Sequence, residues 1–222
     1  MNKLLPLLAA ALLYAVPSAQ AVPFTSEAAF LANVQTGYYL EDFNSLPGYT
    51  NLGSPVSFTG NGYSYDATNP DGLYTTPPIA GDIALSVNFS GTAITITFTG
   101  GLVTAVGGNI YASDIDGNYT SGAITLLLDN GESITISDPS PTSFAGFITS
   151  SPIISLSIFP ENFNSGYWPT LDNLIVGQAT ISAVPEPSTT SLLIVGAAVL
   201  VGPACAWVRR KGRSDGMDSS HP

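Results

Sequence analysis

Apolar and polar residues alternate along most of the chain between residues 24 and 182, and Gly, Pro, Asn and Asp interrupt the alternation at short intervals. The clearest run is residues 92–98, in which Ile94, Ile96 and Phe98 fall on one face and threonines on the other. A period of two residues is typical of a β-strand with one buried face. We therefore expect a strand here, and further strands at residues 82–89, 102–111, 153–159 and 171–178.

One pair of runs predicts a hairpin. Residues 123–128 and 132–136 flank Asp129-Asn130-Gly131, and Asn-Gly supplies the positive φ angles that a tight turn requires. Within residues 24–182, helix is favoured only over residues 26–34, with Ser26 as the N-cap. Many short strands with frequent turns predict an all-β fold, an antiparallel β-sandwich or jelly roll.

Charge is distributed very unevenly. All five Lys and Arg residues lie at the two ends of the chain, whereas thirteen acids lie between residues 22 and 184. Such a domain cannot neutralise phosphates, so nucleic acid is excluded as a partner. Unpaired carboxylates favour cations as compensating ligands. The alternative is that an anionic surface keeps an extracellular protein soluble.

The N-terminus has the pattern of an export signal. Lys3 precedes an apolar stretch over residues 4–16, which is too short to span a bilayer, and Ala19-Gln20-Ala21 follows. This order predicts a signal peptide, residues 1–21, cleaved after Ala21.

The C-terminal region predicts one membrane helix. Residues 191–208 carry no charge and would be about 27 Å long as a helix, which matches the hydrocarbon core. A basic end follows at once, and because positive residues stay cytoplasmic, the preceding domain should lie outside. The basic residues are Arg209, Arg210, Lys211 and Arg213.

A Pro-Glu-Pro box stands just before this apolar run. Two prolines two residues apart exclude a helix or a central strand, so we expect an exposed, extended linker over residues 184–190. In its order of box, apolar helix and basic end, the chain resembles the PEP-CTERM family of bacterial exported proteins. The resemblance implies recognition by the membrane enzyme exosortase, sorting to the envelope, outer surface or extracellular matrix, and cleavage near the box. The box residues are Val184, Pro185, Glu186, Pro187 and Ser188.

The predicted organisation has four parts. A signal peptide (residues 1–21) precedes a β-sandwich ectodomain (22–183). A sorting segment (184–213) follows, with its linker, its transmembrane helix (191–208) and its basic end (209–213). Residues 214–222 form a short tail to which the sequence assigns no role.

The residues that most enzymes rely on are missing from the predicted ectodomain. It has no His, Lys or Cys, since Cys205 and His221 lie near the C-terminus, and this excludes activated nucleophiles and zinc sites. Carboxylate pairs can hydrolyse glycosides, but no spacing singles out a pair among Glu41, Glu132 and Glu161. We expect a non-catalytic surface or matrix protein that binds extracellular polysaccharide; a carboxylate-based glycan-processing enzyme is the alternative.

Aromatic residues offer a way to bind sugars. Tyrosines are abundant, and Trp168, next to Tyr167, is the best candidate for a ligand platform on which a sugar ring stacks. Trp168 could equally be an anchor that seals the core.

Two places are candidates for structural Ca²⁺. Asp114, Asp116 and Asn118 place oxygens at alternate positions, although no EF-hand is present, and a plain turn explains the same residues. The ectodomain also broadly resembles carbohydrate-binding jelly rolls, through Glu41-Asp42-Phe43 near its start and Leu171-Asp172-Asn173-Leu174 in its closing strand. That resemblance implies a shared ion held by Glu41, Asp42 and Asp172, whereas exposed strand-end carboxylates are the alternative.

Overall fold

The structure is a computed structural model that describes residues 21–78, 81–163 and 166–180. The predicted signal peptide, sorting segment and tail lie outside these residues, apart from Ala21. Within the described ranges, no helix is long and apolar enough to cross a membrane.

The described residues form two antiparallel sheets and one short helix, which confirms the predicted all-β sandwich. The helix is α1 (Glu27–Leu31). The strands are β1 (Val22–Phe24), β2 (Tyr39–Glu41), β3 (Asn51–Gly53), β4 (Val56–Gly60), β5 (Tyr63–Thr68), β6 (Leu73–Thr75), β7 (Leu85–Val87), β8 (Ile94–Gly100), β9 (Ala105–Ser113), β10 (Tyr119–Thr120), β11 (Ile124–Leu128), β12 (Ser133–Ile136), β13 (Phe144–Ile148), β14 (Ser155–Pro160) and β15 (Trp168–Gly177).

The larger sheet has nine strands and the smaller has six. The nine-stranded sheet runs in the order β1-β13-β9-β15-β7-β6-β3, with β10 pairing with β9 and β2 pairing with β15. The six-stranded sheet runs in the order β12-β11-β14-β8-β5-β4. Neighbours in space are often distant in sequence, so the sheets bring together side chains that no local pattern connects.

The strand predicted most clearly is confirmed as β8. Ile94 and Ile96 are fully buried, and the alternating threonines lie on the opposite face. The burial of β8 follows the period of two residues, because one face of the strand packs on the core and the other is more exposed to solvent.

The predicted hairpin is confirmed as β11 and β12, which pair from Ile124↔Ile136 to Leu127↔Ser133. Its turn differs from the expected one, because Gly131 has a φ of +89° and Asn130 is not among the residues with positive φ. The Gly131 N–H donates to the Leu128 carbonyl at 3.0 Å, and the three-residue loop ends on a left-handed glycine, a common hairpin alternative to the two-residue turn.

The main core lies between the two sheets. Leu85, Ile110 and Leu171 contribute from the nine-stranded sheet, and strands such as β8 and β14 contribute from the other. Burial of this apolar surface is the main source of stability, since the described residues include no basic side chain that could form an ion pair.

A second, smaller core covers one end of the opposite face of the nine-stranded sheet. There, α1 packs Phe30 against Phe144, with ring centroids 5.1 Å apart, and against Ile175. Helix α1 begins at its predicted N-cap, Ser26, whose hydroxyl accepts the Ala29 N–H, but it ends at Leu31 rather than at residue 34. The rest of this outer face is not covered by the helix, and its polar residues form the candidate site.

Candidate functional site: an aromatic and polar sheet face

The outer face of β15, β9, β7 and β6 is polar. Directly paired residues of antiparallel strands share a face, and the outward pairs here are Trp168↔Ser113, Thr170↔Tyr111, Asp172↔Asn109 and Tyr74↔Ser86. The intervening residues, such as Leu171 and Ile110, point into the main core. This surface, called here the polar face, therefore belongs to strands that are well anchored on their other side.

Buried hydroxyls tie three strands of the polar face together. Ser113 Oγ lies 2.8 Å from Thr170 Oγ1, which donates to Ser86 Oγ at 3.3 Å. Ser86 Oγ in turn donates to the Pro169 carbonyl at 3.1 Å. Each hydroxyl has a partner, so these hydrogen bonds offset the cost of removing the groups from water and fix the floor of the site.

A first cavity of about 220 Å³, called here the aromatic cavity, lies on this floor. Trp168, Tyr74 and Tyr49 line it, together with Ser86, Ser113 and Asp114. The rings of Tyr49 and Tyr74 meet edge to face, with centroids 5.5 Å apart. Trp168 donates its indole N–H to the Asn88 carbonyl at 3.4 Å, which fixes the orientation of the ring.

The sequence left Trp168 either as a ligand platform or as an anchor that seals the core. In the structure this half-buried side chain lines the aromatic cavity and also packs against the main core. Tyr167 points elsewhere: its ring packs against Gly122 and its hydroxyl donates to the Ala123 carbonyl at 3.0 Å. Tyr167 directly precedes β15, and its contacts place it outside the aromatic cavity.

The loop with Asp114, Asp116 and Asn118 borders the aromatic cavity and is a turn. Asp114 Oδ1 accepts the backbone N–H groups of Asp116 and Asn118, each at 2.9 Å. Gly117, with a φ of +80°, lies so close to Pro77 that a Cβ would come within 2.4 Å of the proline ring. The loop is therefore pressed onto Pro77 at a position that only glycine fits.

A second cavity, of about 390 Å³, lies on the other side of this loop and is called here the carboxylate cavity. Asp172, Asp82 and Tyr111 line it, and Thr76 lines both cavities. Asp172 is only 5% exposed, and its carboxylate accepts the backbone and side-chain N–H groups of Asn173 at 2.7 and 2.9 Å.

Two neighbouring carboxyl groups in the carboxylate cavity, those of Asp172 and Asp82, repel each other when both are ionised. Burial, and then the charge of Asp82, raise the pKa of Asp172 to about 7, and a hydrogen bond with Asp82 acts in the same direction. Asp42 adds a smaller repulsion. Burial likewise raises the pKa of the Tyr111 hydroxyl, helped by the charges of Asp172 and Asp82. No basic group is present among the described residues, so a proton or a cation must offset the repulsion.

The predicted calcium ligands are only partly brought together. Asp42 lies within electrostatic reach of Asp172, but Glu41 accepts hydrogen bonds from the Tyr39 hydroxyl and the Phe43 N–H. In the part of the chain that the structure describes, no group of three or more His, Cys, Asp or Glu side chains could hold a metal ion. Calcium binding stays a prediction. The carboxylate whose charge raises the pKa of Asp172 most is Asp82, which sequence reasoning did not identify.

Similar solved structures are distant. A family 29 carbohydrate-binding module, solved as a lysine-to-alanine variant, is 16% identical with a TM-score of 0.36, and the match covers 64% of this chain and 99% of the module. A second structure of such a module is 15% identical with a TM-score of 0.36, covering 63% of this chain and 94% of that one.

An exo-β-1,3-galactanase from Phanerochaete chrysosporium, solved with galactose, is 16% identical with a TM-score of 0.32, covering 55% of this chain and 29% of the enzyme. No protein-family model matches the chain, and no curated protein matches it. Likenesses this remote carry no argument about function.

Proposed function

We propose that the domain is a non-catalytic carbohydrate-binding module of an exported, envelope-sorted protein, and that the aromatic cavity is its binding site. The observation that supports this most strongly is the juxtaposition of Trp168, Tyr74 and Tyr49 with fixed polar groups on one sheet face.

The chemistry of the cavity suits a sugar ring. The apolar C–H face of a pyranose stacks on an aromatic ring, while its hydroxyls pair with hydroxyl, amide and carboxylate groups. Here Trp168 and Tyr74 supply the rings, and the Asp114 carboxylate supplies a polar partner. At about 220 Å³ the cavity is smaller than typical sites for drug-sized ligands, which suits a single sugar unit.

Binding is tested with the full chain in a detergent that carries no sugar groups, against a panel of neutral and charged polysaccharides. The chain has two tryptophans, so a Trp207→Phe background makes Trp168 the only indole that reports on the cavity. A ligand that stacks on Trp168 should change its fluorescence in a saturable manner.

The variants separate stacking from hydrogen bonding. Trp168→Ala and Tyr74→Ala, followed by affinity electrophoresis, should each weaken binding by about tenfold or more, because central aromatic anchors dominate such sites. Tyr74→Phe is the matched control, since it keeps the ring and removes only the hydroxyl that donates to the Tyr49 carbonyl. Unchanged binding in both alanine variants, with intact melting curves, would overturn the assignment.

The sorting part of the proposal is supported by the order of box, apolar run and basic end, residues 184–213. Mass spectrometry of the native protein should find Val22 as the first residue. Replacement of Pro185, Glu186 and Pro187 by alanine should change its processing and location. A mature chain that starts at Met1, or one that is sorted normally without the box, would refute this part.

A carboxylate-based glycan-processing enzyme is the second candidate, and the Asp82–Asp172 pair is the observation that favours it, because perturbed carboxyl groups in cavities mark many active sites. The geometry argues against it. The two groups share a hydrogen bond, whereas glycosidases hold their carboxyl groups about 5 Å or more apart. Release of reducing sugars from a bound polysaccharide, lost in Asp172→Asn, would establish the enzyme instead.

A further inference from the structure

We propose that the aromatic cavity selects carbohydrate polymers with free amino groups over neutral and acidic ones, an inference that rests on the proposed carbohydrate-binding function. The cavity and its surroundings are strongly acidic. No Lys or Arg lies between residues 22 and 184, and thirteen acids do. An acidic polymer is therefore repelled across the whole domain, whereas an ammonium group is attracted.

The local geometry sharpens this preference at Asp114. One carboxylate oxygen, Oδ1, is occupied by the two backbone N–H groups of its own turn. The other, Oδ2, has only a 3.5 Å contact with Asn118 Nδ2, which leaves its acceptor capacity available. The turn thus holds the carboxylate in place at the cavity while one oxygen stays ready for a ligand donor.

The aromatic rings favour the same ligand. Trp168, Tyr74 and Tyr49 line the cavity together with Asp114. Electron-rich ring faces attract a cation within about 6 Å, and Trp gives the strongest effect. The Trp168 indole N–H is already donated to the Asn88 carbonyl, so the ring offers the ligand its face rather than a donor. An amino sugar fits this arrangement. Its C–H face can stack on an aromatic ring, and its ammonium group can interact with both the ring and the Asp114 carboxylate.

Three oligosaccharides of equal length test the selectivity: β-1,4-linked glucosamine, its N-acetylated form, and galacturonate. Binding to the full chain is measured at mildly acid pH, where the amino groups are protonated. We expect the amino form to bind most tightly, the acetylated form more weakly, and the galacturonate least. Added salt should weaken only the amino form, because screening acts on the charge–charge attraction.

Asp114→Asn removes the charge and keeps an oxygen that can cap the turn. It should weaken binding of the amino oligomer by about three- to thirtyfold and binding of the acetylated oligomer clearly less, because the amide oxygen can still accept a hydrogen bond but carries no charge. Asp129→Asn is the matched control. Asp129 also accepts two backbone N–H groups, from Ile154 and Ser155 at 3.0 and 3.2 Å, but it does not line the aromatic cavity, and its loss changes the net charge equally.

Different results would overturn the amino-sugar inference and the proposed carbohydrate binding. Equal affinity for the amino and acetylated oligomers, or equal effects of Asp114→Asn and Asp129→Asn, would overturn the amino-sugar inference while leaving carbohydrate binding intact. Tighter binding of galacturonate would overturn it as well. Absence of binding to all three oligomers and to the whole polysaccharide panel would overturn the proposed function itself.

Discussion

Asp172 should make the stability of the domain fall as the pH rises through neutrality. In the folded protein, burial and the neighbouring Asp82 raise the pKa of this carboxyl from 3.8 to about 7. The folded state therefore holds the Asp172 proton more tightly than the unfolded chain does. The resulting stabilisation is complete below the unfolded pKa and is lost as the pH rises through the folded pKa.

The size of the effect follows from the shift. Three pKa units correspond to about 4 kcal/mol, at about 1.4 kcal/mol per unit. Asp82 is exposed, so solvent screens part of its charge, and we expect about 2 to 4 kcal/mol. For a domain of this size that is a change in melting temperature of about 5 to 15 °C between acid and mildly alkaline pH.

Asp172→Asn tests the reasoning because an amide mimics the protonated carboxyl at every pH. Thermal melts of the full chain, followed by circular dichroism in excess chelator, should show similar stabilities for variant and wild type near pH 4. The variant should be more stable by about 2 to 4 kcal/mol near pH 8. Asp129→Asn removes one exposed acid without touching the cavity and corrects for the general charge effect. Parallel pH profiles for wild type and Asp172→Asn would refute the account.

Three further predictions concern stability. Tyr65 is fully buried, and its hydroxyl is the one buried side-chain polar atom without a hydrogen-bond partner among the described residues, so Tyr65→Phe should leave the melting temperature unchanged or raise it. A lower value would reveal a missed partner. Gly117→Ala should cost about 1 to 3 kcal/mol in chemical unfolding and weaken glycan binding, because the new methyl group meets Pro77; wild-type behaviour would show that the loop yields. Millimolar calcium at mildly alkaline pH should raise the melting temperature relative to chelator, with the shift lost in Asp172→Ala and kept in Asp114→Ala; identical curves would end the calcium prediction.

Strand prediction succeeded where alternation was strongest, but it missed β4, β5 and β13 as well as several shorter strands. Strand β8 and the β11–β12 hairpin follow directly from their apolar periods. Two of the missed strands, β3 (Asn51–Gly53) and β6 (Leu73–Thr75), have only three residues each, which is too few to show a period of two. They form because their partners in the sheet supply hydrogen bonds, which is information that lies elsewhere in the chain.

The candidate site was predicted in part. Trp168 was identified from its residue type and neighbours, and Asp114 was singled out for calcium rather than for a cavity wall. Tyr74 lies more than ninety positions from Trp168 in sequence, and it reaches the same cavity only because β6 and β7 complete the sheet beside β15. Asp82 was missed for the same reason, since no local signal places it against Asp172.

The division of the outer face into an apolar and a polar half depends on one irregularity in β15. The register with β9 shifts between Asp172 and Ile175, and Asn173, with a φ of +49°, supplies the extra residue. Side chains of a regular strand alternate between its two faces. Without this bulge, the side chain of Asn173 would therefore point into the main core and that of Leu174 would point away from it. With it, Leu174 packs in the main core and Ile175 lies under α1, while Asp172 stays on the polar face. An asparagine tolerates the left-handed conformation that the bulge requires. The one-residue insertion therefore lets the same strand present Asp172 to the polar face and Ile175 to the helix.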